Sequence, residues 1–475
     1  MAGLARSIGL GLALLGGAAS LGLAQSVETK QYSDGSIYEG QFLNGRQHGT
    51  GTYRLPDGYE YTGAWENGEI KGEGRARFAN GAVYEGLFLG GKPEGRGKIT
   101  FPDGGTYEGD WREGQMTGEG EARYPGGVSY RGTFLNGLAH GKGVMEDPAG
   151  YRYEGDWVEG RKQGVARVTY PDGASYEGAM VDGLRHGVGL LIMPDGLRYD
   201  GLWAEGQMQG EAKLTQPNGD RYEGGFKAGK RDGQGKVTYA DGGHYEGGFA
   251  DDLRHGRGTF RAASGMVYEG EWQKGHIEGT GKMTYPDGTI YEGGFKAGQP
   301  EGMGKMTWPD GSGYEGSWAA GAIEGRGIAR LADGGVYEGE MRAGQRHGKG
   351  VLTQPDGYRY EGEWENGLRQ GTGVATYPDG SRYEGAFVAD RRQGRGVLTL
   401  PDGYRYEGEF LDGAATGQGV AQWPSGDVYD GAFLAGKPHG EGLARYKSGQ
   451  EAAGTWTNGL LTAPAPKPEV AAAAE

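Results

Sequence analysis

Three residue types recur in this chain at spacings that invite chemistry. Six of its eight histidines, His48, His140, His186, His255, His347 and His439, are separated by multiples of 23 residues, and a row of imidazoles suggests a zinc site or a pH switch. Glutamates recur on the same interval, among them Glu39, Glu85, Glu108, Glu154, Glu177 and Glu223, and a carboxylate ladder suggests calcium. Seven tryptophans, Trp65, Trp111, Trp157, Trp203, Trp272, Trp318 and Trp364, keep the interval too. Exposed, they would form a candidate face for a partner or ligand; buried, they are core, which is the commoner fate of large rings. Every carboxylate or histidine of interest is one copy of a repeated position, whereas catalysis holds unlike groups together at one unique place. The chain is therefore read as a non-enzyme with no catalytic, cofactor-binding or metal-ligating residues.

The element that positions these residues is a repeat. Tyrosine followed two residues later by glycine begins at Tyr38 and recurs every 23 residues, without insertion or deletion, to Tyr429. That makes 18 repeats in register. A nineteenth is frayed, with Ala452 in place of the tyrosine and Gly454, Trp456 and Gly459 in phase, and a fragment at Tyr32, Asp34 and Gly35 precedes the first. With the tyrosine as position 0, glycines recur at positions 2, 7, 11, 13 and 20, which account for 89 of the 104 in the chain. Asp252 and Asp390 depart at position 7, and Ala166 and Ala212 at position 13.

The remaining positions read as strands. Phe or Trp fills position 4 in 17 of 19 repeats, with Met180 and Met341 the exceptions, and position 15 is always apolar. Even positions 0 to 4 and odd positions 11 to 17 are apolar or glycine, a period-2 alternation that predicts strands over positions −1 to 5 and 12 to 17. Pro-Asp-Gly at positions 18 to 20, as in Pro56, Asp57 and Gly58, is type I turn chemistry. Positions 6 to 11 are expected to form a longer connection than a two-residue hairpin. The result is an all-β meander of about 36 antiparallel strands, with aromatics on one face and the glutamate ladder on the other. At about 4.8 Å per strand, copies of one position lie about 9.6 Å apart. That is too far for one zinc ion, and calcium needs several oxygens converging on one point. The glutamates are expected to pair with lysines and arginines at positions 12 and 14, such as Lys236, Arg257 and Lys282.

Tyr360, Glu361, Gly362, Glu363, Trp364, Glu365, Asn366 and Gly367, followed by Gly371 and Gly373, resemble the membrane occupation and recognition nexus (MORN) repeat. The resemblance covers about residues 30–459. It implies an elongated single-layer antiparallel sheet of stacked β-hairpins, and a family that scaffolds, mediates protein contacts or dimerisation, and in some members associates with phospholipid membranes.

Composition narrows the partners. The 475 residues carry 49 basic and 64 acidic side chains, a formal net charge of −15, which disfavours nucleic acid and anionic lipid. Basic pairs at Arg161–Lys162, Lys230–Arg231 and Arg391–Arg392 are the local counter-signal. The absence of cysteine excludes disulfides and thiolate sites. Residues 1–24 contain no acidic residue, one basic residue at Arg6, and an apolar run from Ile8 to Leu23. Gly22 and Ala24 put small side chains before a cut between Ala24 and Gln25, the pattern of a secretory signal peptide; an uncleaved membrane anchor is the alternative. A cysteine-free exported chain suits a bacterial periplasm or the extracellular space. The predicted organisation is a signal peptide at 1–24, a repeat array at 25–459 and a disordered Ala/Pro tail at 460–475. The predicted function is a non-enzymatic scaffold that meets protein partners or a second copy of itself along the sheet; the alternative is a module that binds an envelope surface, phospholipid or glycan.

Overall fold

The computed structural model describes residues 26–466. The predicted signal peptide with its cleavage site at Ala24 and Gln25, and tail residues 467–475, lie outside them. The described residues form one open sheet of 39 antiparallel strands, with no helix among them. By contact the chain divides into two compact halves, to Gln207 and from Met208. Within each half, successive strands pair antiparallel in chain order, as Ile37–Leu43 does with Arg46–Arg54 and Arg221–Lys227 with Lys230–Thr238.

The first strand of each repeat, such as Ile37–Leu43, covers the predicted positions −1 to 5. The second, such as Arg46–Arg54, runs from position 8 to 16 and so starts four residues before the prediction. The connection between them is a two-residue hairpin, correcting the expected long loop. Asn44 and Gly45 have φ of 50° and 76°, and positive φ at both central residues is the type I′ turn that matches strand twist. Position 6 keeps this conformation even as alanine or lysine, with φ of 49° at both Ala228 and Lys274.

A bulge hides the strand from a period-2 reading. Gly40 pairs with Gly51 but Phe42 pairs with Gln47, so His48, Gly49 and Thr50 stand opposite Gln41 alone. Gly49 at position 11 enters the left-handed region at φ 72°, which costs an L-residue about 1 kcal/mol or more. This glycine serves the backbone bend, so its place in the period-2 alternation does not mark a ring-packing position. The Pro-Asp-Gly turn is as predicted: Gly58 N–H donates to Leu55 O at 3.1 Å, and Asp57 Oδ1 accepts from Tyr59 N–H at 2.9 Å. At the C-terminal edge, Leu460–Pro464 is a strand paired with Glu451–Thr457. The predicted tail thus loses its first residues to the frayed repeat, whose main-chain bonding survives loss of the tyrosine.

The core is one side chain thick. Tyr38 lies over Gly40 and Gly51, where an added Cβ would meet its ring within 2.6 Å, and donates its hydroxyl to Gln41 O at 2.9 Å. The ring meets Phe42 edge-on at 5.0 Å and Trp65 of the next repeat at 5.1 Å. Tyr61 then meets Trp65 and Phe88, and Tyr84 meets Phe88 and Trp111. These edge-to-face contacts form a zipper along the sheet, and the tyrosines are fully buried without a second layer. Each ring buries itself against backbone that glycine has stripped of side chains.

Candidate functional site

The seven tryptophans offered as a ligand face are part of this core. They are between 4% and 7% exposed, and those at 65, 111, 157, 203, 272, 318 and 364 donate their indole N–H to the position 13 carbonyl of the preceding repeat. With edge and N–H both occupied, no indole face is open to a ligand. The aromatic side therefore needs no second copy of the chain to cover it.

The opposite face carries the charges. Arg75 meets Glu85 at 3.2 Å, Arg167 meets Glu177 at 3.2 Å and Lys282 meets Glu292 at 2.8 Å, each from position 14 to position 1 of the next repeat. Lys236 and Arg257 stand opposite Glu223, Glu246 and Glu271 in register. Arg131, alone in being basic at position 1, is matched by Glu121 at position 14, 2.9 Å away. The Arg131 guanidinium, helped by Arg123, holds the Glu121 carboxyl below the usual carboxylate range. The pair is a charge reversal that only strand register reveals. Among the described residues no three histidines or carboxylates come together as a metal site.

The basic pairs at positions 8 and 9 are already engaged. Arg161, Lys230 and Arg391 bind Asp182, Asp251 and Asp412 at the next turn, each within 3.0 Å. Their neighbours lie over rings: Lys162 over Tyr151 at 4.4 Å, Arg231 over Phe249 at 5.2 Å and Arg392 over Phe410 at 5.5 Å, a cation–π arrangement. The two repeats with aspartate for glycine at position 7 tighten this contact into a clamp. Asp390 Oδ1 accepts from Arg369 N–H and Nε, both at 2.9 Å, while Arg369 Nη2 donates to Asp390 O; Asp252 and Arg231 repeat the pattern. The carboxylate offsets the cost of a left-handed aspartate, φ 68° at Asp390. Asp390→Ala, which keeps the strain and removes the acceptor, is expected to cost about 1–2 kcal/mol in chemical denaturation, with Asp390→Gly recovering part of the loss.

The histidine row has a local purpose. Position 10 side chains accept a hydrogen bond from the position 6 N–H of the next turn, as Glu324 does from Ala343 at 2.9 Å and Gln370 from Ala389 at 3.0 Å. His140 does so at 3.5 Å, while the buried Nδ1 atoms of His48, His347 and His439 have no partner. His347→Gln, which supplies a longer acceptor to the same turn, is expected to stabilise the protein by about 0.5–1.5 kcal/mol in thermal unfolding.

The charged face carries hollows that the sequence did not reveal, among them one in each half. The first, of about 660 Å³, is lined by Glu119, Arg131, Lys142, Val165 and Arg167 among others; the second, of about 780 Å³, by Met303, Glu315, Arg326, Ile328 and Glu338 among others. Val165 and Val188 in the first half and Met303 in the second are 63%, 67% and 68% exposed. All three stand at position 12, where the apolar interruption of a charged column was the available signal. Eighteen segments, from 38–58 to 429–451, match the MORN repeat. The chain belongs to the MORN repeat family. Most MORN segments begin at the tyrosine that lies over its two glycines, so the family signature and the core are the same residues. No curated protein sequence matches this MORN chain. Solved structures similar to it include the TCP10 domain of Danio rerio CPAP, 16% identical over 56% of this chain and 99% of that one with a TM-score of 0.15. The TCP10c domain of Drosophila melanogaster Sas-4 is 15% identical over 42% of this chain and all of that one, with a TM-score of 0.16. Virginiamycin B lyase from Staphylococcus aureus is 10% identical over 56% and 83%, with a TM-score of 0.11.

Proposed function

We propose that the protein is an exported, non-enzymatic MORN scaffold that receives protein partners on its charged strand face. The observation that carries this reading is the contrast between the two faces. The aromatic face is closed on itself, whereas the charged face has hollows with exposed aliphatic side chains among ion pairs, the mixture of apolar anchor and polar rim that protein interfaces use. Export rests on the apolar segment before Gln25, and a mature chain from the envelope that begins at Gln25 would support it.

Envelope-surface binding is the competing reading, and two observations weigh against it. The basic pairs that would hold anionic lipid are spent on aspartates and rings, and the tryptophans that would stack on glycan are buried. Photo-crosslinking residues at Val165 and Met303, compared with one at the exposed Tyr124 on the aromatic side, test the partner face. Polypeptide adducts at the first two sites, with no pelleting on liposomes or peptidoglycan, are expected. Pelleting without adducts would replace this reading with the envelope one, and adducts only to the chain itself would make the partner a second copy.

A further inference from the structure

Position 14 is mixed through the first twelve repeats, where Lys213, Lys236, Lys282 and Lys305 face position 1 acids and Val144 and Leu190 are isolated aliphatic residues. The last six repeats are aliphatic without interruption: Ile328, Val351, Val374, Val397, Val420 and Leu443. These six are half-buried or exposed on the charged face, and the core lies on the other side of the sheet, so among the described residues no second layer lies over them. In register, Ile328 stands between Glu315 and Glu338, and Val351 between Glu338 and Glu361. The row continues through Val374, between Glu361 and Glu384, to Val397, between Glu384 and Glu407. An aliphatic side chain thus recurs on every second strand, flanked by carboxylates.

Two properties of the row select its occupant. The first is charge: the hollow over Ile328 and Val351 is lined by four carboxylates, Glu315, Glu338, Glu361 and Glu363, against two cations, Arg326 and Lys349. Of these carboxylates only Glu361 closes an ion pair among the described residues, with Arg359 at 2.7 Å, so a basic partner is favoured. The second is spacing. Side chains on every second strand lie about 9.6 Å apart, and a polyproline II helix brings every third residue to the same side at about 9.3 Å. An extended strand turns its third residue to the opposite side, and an α-helix returns to the same side about every 5.4 Å, or about 10.8 Å over two turns, which falls out of step over six repeats. We propose that the row from Ile328 to Leu443 binds a basic polypeptide segment in the polyproline II conformation, with an aliphatic residue at every third position resting between these side chains. The proposal rests on the charged face being the partner face.

The test uses the whole protein and a fluorescent peptide of six Val-Pro-Lys triplets, followed by anisotropy. Saturable binding is expected, weakened at least about tenfold in the Val351→Lys/Val374→Lys/Val397→Lys variant. Lysine is native at this position in earlier repeats, so the variant keeps its fold, checked by circular dichroism. A peptide of Val-Pro-Glu triplets, and one with valine moved to every fourth position, should bind at least about tenfold more weakly. Absent binding, equal binding by the triple variant, or equal binding of either control peptide would overturn the proposal. Adducts at Val165 and Met303 that persist in the triple variant would keep the partner face while removing this occupant.

Discussion

Raising the pH from about 10 to about 12 is expected to unfold the array steeply. The core tyrosines Tyr38, Tyr84, Tyr130, Tyr176, Tyr222, Tyr245, Tyr268, Tyr291, Tyr337, Tyr383 and Tyr406 have hydroxyls pushed up from 10.0 to about 12 by burial. The folded state therefore holds these protons where the unfolded chain has released them. Stability follows the difference in bound protons, so each tyrosine contributes fully below about pH 10 and loses its contribution as pH rises through the folded value near 12. One such group would be a modest effect, but here the same group is repeated along the whole core. Beyond the contribution of exposed rings outside the core, such as Tyr124 and Tyr446, tyrosinate absorbance and loss of the β-sheet circular dichroism signal should rise together in one transition. Tyrosinate in excess of that contribution, forming near pH 10 with the sheet intact, would mean that the core rings are reached by solvent in the folded state.

The repeated positions were legible in the sequence because each carries one physical demand. Tyr38, Gly40 and Gly51 declare a ring over bare backbone, and Pro56, Asp57 and Gly58 declare their turn. The hairpin at Asn44 and Gly45 was legible in its residues but masked by Gly49, because a left-handed bulge glycine inside a strand looks in sequence like the glycine of a loop. The exceptions were the least legible part. Asp390 looks like a stray substitution until register sets it against Arg369, 21 residues earlier, and Arg131 until Glu121 appears across the strand. The same holds for the candidate site. Tryptophan drew attention as a large ring at a regular interval, yet its depth is set by the glycine carbonyl of the preceding repeat. Valine and isoleucine at position 14 signal binding only once that position is known to face away from the core.

The second large effect expected is from Tyr268→Ala. Tyr268 is fully buried, lies over Gly270 and Gly281, meets Trp272 at 5.4 Å and Phe295 at 5.2 Å, and donates to Glu271 O at 2.9 Å. Removing a buried ring costs about 3–5 kcal/mol, and here neither Gly270 nor Gly281 has a side chain to collapse into the gap. In an array where each repeat is held mainly by its neighbours, the loss falls on the coupling between them. Unfolding by denaturant should therefore broaden or split, with amide exchange accelerated in the strands around Tyr268 and less changed at a distance. Tyr268→Phe, which keeps the ring and loses only the hydroxyl bond, should cost about 1 kcal/mol and leave a single transition. The chain already contains the terminal version of this experiment. Ala452 replaces the tyrosine of the frayed repeat, yet Glu451–Thr457 still pairs on both sides, because main-chain pairing does not need the ring. If Tyr268→Ala unfolded as sharply as the unchanged protein, cooperativity would have to come from the hydrogen-bond ladder, and the aromatic zipper would be filling without being the coupling element.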